Sequence, residues 1–182
     1  MGLASYYRRF VKNFADKARP LYHLTSPKNL FLWGQNEDRA FLELRNTLCT
    51  PPVLSYPNYN RPFIVSTDAS SHAVGAVLEQ KDDDGRLHPV AFASRTLSQP
   101  ERNYSVTDRE AVAVIFALKK FRHYLLPRPF TLYTDHQALR SLFNKRELTG
   151  RWARWILYVA EYQADIQYRP GRQQIGRASC RE

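Results

Sequence analysis

Phe63-Ile-Val-Ser-Thr-Asp-Ala69 and His72-Ala-Val-Gly-Ala-Val-Leu-Glu-Gln80 decide how this chain folds. Both runs are short, rich in β-branched residues and patterned with a period near two, which marks strands. Lys81-Asp-Asp-Asp-Gly85 joins the second run to Leu87-His-Pro-Val-Ala-Phe-Ala-Ser94, and its Asp84-Gly85 pair is a hairpin signal. Pro89 cannot donate to a ladder, so it favours an edge position for the third strand. Downstream the period lengthens: a helix is expected from about Thr107 to Leu126. A fourth strand covers Phe130-Thr-Leu-Tyr-Thr-Asp135, followed by a short helix through Leu142, a helix over 150–162 and a fifth strand over Ala164–Tyr168. The order β-β-β-α-β-α-α-β predicts an α/β fold, with three hairpin strands, then parallel strands reached by crossovers, and helices packed on the sheet.

Upstream, Tyr6, Tyr7, Phe10, Val11, Phe14 and Ala18 share one side of an expected helix over 6–18, opposite Arg8, Arg9, Lys12 and Arg19. Pro20 predicts an end or a kink there. A second helix is expected over 36–48, with Ala40, Phe41, Leu44 and Leu48 as its stripe. Residues 49–62 carry Pro51, Pro52, Pro57 and Pro62 and read as an extended connector. A boundary there leaves a helical segment over 1–60 ahead of the α/β unit.

The 182 residues carry 27 Lys and Arg against 17 Asp and Glu, a formal +10, with 43% hydrophobic residues. That apolar share excludes a wholly disordered chain. No run approaches the ~20 apolar residues of a membrane helix, and MGLASYYRRF lacks a secretion-signal core. Cys49 and Cys180 have no metal or redox spacing, which fits a reducing compartment. Basic residues exceed acidic ones by four in 1–60 and by four in 131–182, but only by two in 61–130. Basic flanks around an acid-bearing centre suit a polyanionic substrate held outside and cut inside, or a soluble basic surface without a dedicated ligand.

Asp68 and Asp135 each close a strand. If those strands are adjacent and parallel, their carboxyl ends lie side by side, where open α/β sheets place their sites. Glu110 shares a helix face with Val114, Ala117 and Phe121, so it is aimed at the sheet. A capping box of Thr107 and Glu110 explains that glutamate by itself. It does not explain the two aspartates. Clustered carboxylates repel one another, divalent cations relieve the repulsion, and hard oxygen ligands select Mg²⁺ or Mn²⁺. On a phosphodiester this pattern fits hydrolysis by two ions ~4 Å apart.

Five ordered segments, Val65–Gln80, Pro89–Ser98, Glu101–Ala111, Leu132–Leu139 and Tyr168-Arg-Pro-Gly171, resemble the ribonuclease H domain of retroelement reverse transcriptases, of the gypsy-like LTR class. Leu3–Phe14, Ala18–Leu21, Phe31-Leu-Trp33 and Pro52-Val-Leu54 resemble the thumb and connecting region before it. The resemblance implies a ribonuclease H-like five-stranded mixed sheet over 61–174 and a thumb- or connection-like segment over 1–60. It also implies cleavage of the RNA strand of an RNA–DNA hybrid to 5′-phosphate ends. Asp68, Glu110 and Asp135 are carried into the catalytic, metal-binding set with two Mg²⁺ or Mn²⁺ ions. The implied partners are the hybrid and the rest of the polyprotein, including the polymerase palm and the integrase, with no membrane. The implied setting is a cytosolic virus-like particle or the nucleus.

Two features depart from that family. The only Asp-Asp doublets lie in Lys81–Gly85, so the Tyr-x-Asp-Asp turn of a palm is absent and DNA synthesis by this chain is not expected. The family's fourth carboxylate falls near Arg177–Ala178, where there is none, and residues 175–182 read as a non-native or frame-shifted tail. Without it the chain reads either as a nuclease or as a catalytically silent nucleic-acid binder. Asp165 and Glu182 are poor stand-ins. Arg95, Arg102, Arg151 and Arg154 are candidate phosphate contacts or solvated charges. His136 is a helix-start residue or a phosphate contact, Ser70 and Ser71 are turn residues, and Trp152 and Trp155 are packing residues. Gly75 marks a bulge or a close approach of substrate.

Overall fold

The computed structural model describes residues 4–5, 8–27, 29–49, 54–143 and 150–170. Tyr6, Tyr7, Pro51, Pro52, Gly171 and the expected tail over 175–182, with Cys180 and Glu182, lie outside them. In chain order the elements are a 3₁₀ turn over Arg8–Phe10, α1 (Phe14–Leu24), α2 (Gln35–Cys49), β1 (Phe63–Ala69), β2 (Ala73–Lys81) and β3 (Leu87–Thr96). There follow α3 (Gln99–Arg102), α4 (Val106–Lys120), α5 (Arg122–Leu125), β4 (Phe130–Thr134), α6 (Gln137–Phe143), α7 (Gly150–Ala160) and β5 (Ala164–Tyr168).

The five strands form one sheet in the order β3-β2-β1-β4-β5. β1–β2 and β2–β3 are antiparallel, whereas β1–β4 and β4–β5 are parallel. This is the mixed sheet expected from the alternating hairpin runs, with Pro89 on an edge strand as anticipated. The one-residue register shift falls between Leu78 and Glu79, across from Pro89, and not at Gly75.

One face of the sheet carries Phe63, Val65, Leu78, Phe130 and Leu132, which join Ala111, Val114, Ala117 and Leu118 of α4 in the main core. α4 is helical because alanines at 111, 113 and 117 carry little entropic penalty, and their small side chains let the helix lie close to the sheet. Each large side chain buried here contributes about 1.5–3 kcal/mol. The expected single helix over 107–126 is broken at Phe121, whose φ of −102° and ψ of 15° end α4 before α5 begins.

The other face is covered by the amino-terminal segment. Arg8 donates to the carbonyl of Ser94, and the Ala15 amide donates to Ser94 Oγ at 3.0 Å. The expected 6–18 helix is displaced: a 3₁₀ turn and a left-handed Asn13 (φ 53°) precede α1, and α1 runs through Pro20 to Leu24. Burial of Phe14, Ala15, Ala18 and Leu21 offsets the backbone hydrogen bond that Pro20 removes. In α2 only Ala40 and Leu44 of the expected stripe are buried, while Phe41 and Leu48 are exposed. The 54–62 connector is tied to the sheet. Gln80, buried on β2, accepts from the Asn58 amide and donates to the Asn58 and Arg61 carbonyls. Among the described residues no helix is long and apolar enough to cross a membrane.

Candidate active site at the carboxyl end of the central strands

The last paired residues of β1 and β4 are Ser66 and Tyr133. Continuing that register by two residues brings Asp68 level with Asp135 at the carboxyl edge. Asp68 is also the partner of Gly75 on β2 and shares a sheet face with Ile64 and Ser66. Glu110 arrives from α4, on the opposite face, near enough to feel the negative charges of Asp135 and Asp68.

Glu110 is only 4% exposed. Burial, then the negative charges of Asp135 and Asp68, push its carboxyl up to about 8, opposed by a hydrogen bond donated from the Ala69 amide. Its Oε2 is buried without a hydrogen-bond partner among the described residues. A buried carboxylate oxygen left without a donor is costly unless something supplies positive charge or a proton. The capping-box alternative for Glu110 does not hold. Ser105 is the N-cap, its Oγ accepting from the Asp108 amide at 3.1 Å, and α4 begins at Val106. The pattern Ser105-Val-Thr-Asp108 carried that signal two residues before Thr107.

The donor set suits a hard divalent cation: carboxylates only, one with an unpartnered oxygen. It is an open arrangement. Among the described residues no three His, Cys, Asp or Glu side chains close around a single point in a way that could hold a metal ion. An ion bound here needs further ligands, and Mg²⁺ commonly takes them from water and substrate phosphates, with one or two protein carboxylates.

His136 directs Nε2 at Thr107 Oγ1 at 2.8 Å, tying the start of α6 to the first turn of α4. Ser70 is a turn residue, its Oγ accepting from the His72 and Ala73 amides. Gly75 does admit a close approach, but from within the chain: a Cβ there would stand 2.6 Å from Asn13 Oδ1. Asp165 is exposed and lies level with Thr131, well back from the carboxyl edge. Tyr168-Arg-Pro places the Arg169 guanidinium 3.5 Å from the centre of the Tyr133 ring, and the Arg169 amide on the Thr134 carbonyl at 2.9 Å. That role was not read from the sequence.

The four candidate arginines have different surroundings. Arg95 is bidentate to Glu101 at 2.7 and 2.8 Å and holds that carboxyl down to about 2. Arg151 meets Asp108 at 2.6 Å, and Asp108 also accepts from Trp152 Nε1 at 2.9 Å, so this trio clamps α7 to α4. Arg102 reaches the Leu97 carbonyl, and Arg154 is exposed. Trp152 and Trp155 pack against the main core and each other, as expected.

Residues 58–162 match the family model described as the RNase H-like domain found in reverse transcriptase. The chain is 39% identical over 174 residues to the retrovirus-related Pol polyprotein from transposon 297 of Drosophila melanogaster, covering 95% of this chain and 16% of that protein. It is 37% identical to the corresponding polyprotein from transposon gypsy of the same organism, covering 95% and 18%, and 37% identical to the Tf2-3 polyprotein of Schizosaccharomyces pombe, covering 94% and 13%. The chain thus spans under a fifth of the length of these relatives. Among solved structures, the foamy viral protease-reverse transcriptase in complex with RNA/DNA hybrid superposes with a TM-score of 0.70 at 25% identity, covering 92% of this chain and 24% of that one. A dsDNA complex of the same viral protein, designated dRH, gives 0.73 at 25% identity, covering 92% and 30%. With its mixed sheet and the family match over more than half its length, this chain belongs to the RNase H-like domain family of retroelement reverse transcriptases.

Proposed function

We propose that the chain is the ribonuclease H module of a retroelement Pol polyprotein, hydrolysing the RNA strand of an RNA–DNA hybrid with divalent-cation assistance. The observation that carries this reading is Glu110: a buried carboxylate on a helix, with one unpartnered oxygen, under the charges of Asp68 and Asp135 from two adjacent strand ends. Asp68, Asp135 and Glu110 would hold Mg²⁺ or Mn²⁺. Bound there, such ions supply a hydroxide-like nucleophile and neutralise charge on the leaving 3′ oxygen. The chain's own part is positional. Asp68 and Asp135 fix the negative end of the sheet. Glu110, backed by the Ala69 amide, orients the attacking water. The basic surface, part of the +10 formal charge, draws the polyanion to that end. The polymerase palm and the integrase, as further parts of the polyprotein, are the proposed partners.

A silent hybrid-binding fragment is the second reading, favoured by the open carboxylate arrangement and by the absence of an acid near Arg177–Ala178. Incubating an end-labelled RNA–DNA hybrid with the chain in Mg²⁺ or Mn²⁺, beside Asp68→Asn, separates the two. The nuclease reading expects RNA fragments with the native chain and none with the variant. Binding without cleavage establishes the silent reading.

A further inference from the structure

The carboxylate end of the sheet continues on the β3 side into a second concave surface. Ala69 pairs with Val74, and Val74 pairs with Arg95 on β3. Two strand spacings, ~10 Å, therefore separate the end of β1 from Arg95. Arg95 lines a cavity of ≈ 340 Å³ bordered by α3, α4 and α7, with Lys119, Arg151, Arg154, Tyr104 and Trp155 in its walls.

Two of these four cations are structural, because Arg95 is matched by Glu101 and Arg151 by Asp108. The other two are not neutralised. Lys119 and Arg154 are exposed, and among the described residues neither forms an ion pair. Lys119 stands 5.5 Å from the centre of the Tyr158 ring, which holds its ammonium over α7. The frame beneath is packed: the Arg151 guanidinium lies 4.1 Å from the Tyr104 ring centre and 5.7 Å from that of Trp155. The cavity thus presents two uncompensated positive charges over packed rings. From Glu110 to Lys119 the same helix rises ~13.5 Å.

We infer that this cavity is a second nucleic-acid contact, in which Lys119 and Arg154 bind backbone phosphates of the duplex whose scissile phosphate lies at Asp68, Glu110 and Asp135. Lys119 stands ~13.5 Å along α4 from Glu110, so the contact falls on phosphates beyond the one that is cut. The inference rests on the nucleic-acid reading above. Continuity with the carboxylate end favours a duplex over an acidic protein segment.

The test uses the full 182-residue chain and a fluorescein-labelled 20-base-pair RNA–DNA hybrid without divalent cation, with binding followed by anisotropy over a range of salt. Native chain is compared with Lys119→Gln/Arg154→Gln and with Lys81→Gln/Arg86→Gln, whose charges lie at the opposite end of the sheet. The cavity pair should lower the log–log salt slope by ~2, while the control pair leaves it nearly unchanged. An unchanged slope in a cavity variant with native circular dichroism overturns the inference. So does an equal loss in both pairs, which means diffuse charge, or polyglutamate binding that only the cavity pair abolishes while hybrid binding persists. Hybrid binding without cleavage sinks the nuclease reading alone, whereas cleavage with an unchanged slope sinks this one alone.

Discussion

Glu79 and Glu110 serve opposite faces of the same sheet, both almost fully buried, and their neighbours make them different groups. Glu79, on β2 beneath the amino-terminal segment, accepts from Ser66 Oγ at 3.2 Å and feels the positive charges of Arg169 and Lys12. Burial raises its carboxyl, and each of those neighbours pulls it back. Glu110 has the negative charges of Asp135 and Asp68 instead, and an oxygen with no donor. The first arrangement satisfies a buried acid, and its yield is the docking of Lys12, Asn13 and Ala15 onto the sheet. The second leaves an acid unsatisfied, and a cation or a proton is what such a group can bind. One face is built for cohesion, and the edge beside it leaves a carboxylate oxygen open to a cation or a proton.

The sharpest way to break that contrast is Asp68→Asn. If the edge does chemistry, hybrid cleavage should fall at least roughly a hundredfold while the melting temperature holds or rises. A variant that unfolds and cleaves in proportion would place Asp68 with the cohesive residues.

The two glutamates should also separate by pH. Folded Glu110 holds its proton up to about 8, against an ordinary value of 4.5. Between those values the folded chain binds more protons than the unfolded one, so its stability falls as pH rises, by a few kcal/mol. Melting curves from pH 5 to 8.5 should show this decline. Glu110→Gln should remove most of it and Glu79→Gln a smaller part. Millimolar Mg²⁺ should restore stability near pH 8 only in chains that keep Glu110. Equal slopes in the native chain and Glu110→Gln would refute the assignment.

Asp108 is the cohesive counterpart of Glu110 on the same helix, buried but fully engaged. Asp108→Ala strands the Arg151 and Trp152 donors and should cost about 3 kcal/mol in urea unfolding. A loss below the cost of an exposed pair would mean α7 is held without the clamp. Gly75→Ala sets a methyl against Asn13 Oδ1 and should cost about 1 kcal/mol. Asn13→Gly in the same background should return part of it, since the left-handed backbone at 13 suits glycine. Failure to recover would separate the two residues. The smallest change belongs to the exposed Arg122–Glu161 pair, where Arg122→Gln should cost no more than about 0.5 kcal/mol.

The strands were legible because alternation and β-branched residues act locally: Phe63–Ala69 was anticipated as it stands and the other strand limits to within two residues. Both aspartates were legible as strand-end residues, and Glu110 as a residue on the sheet side of its helix. Pro20 was misleading because local backbone cost was read without the burial of Phe14, Ala18 and Leu21 that offsets it. Two overlapping patterns, Ser105-x-x-Asp108 and Thr107-x-x-Glu110, compete for one helix start, and the sequence does not rank them; the structure takes Ser105. The roles of Arg95 and Arg151 were out of reach. An arginine reads as a surface charge until a carboxylate 6 or 43 residues away is shown beside it.

What the amino acids determine unaided is periodicity, turn chemistry and net charge, since each depends on neighbours within a few residues. That is enough for the element order and for a mixed sheet. Only the tertiary structure brings residues 68, 110 and 135 under one another's charge, sets Asn13 against Gly75 and divides the cations into neutralised and free. Those relations join residues tens of positions apart, and the burial and Coulomb energies that govern them depend on distance in space.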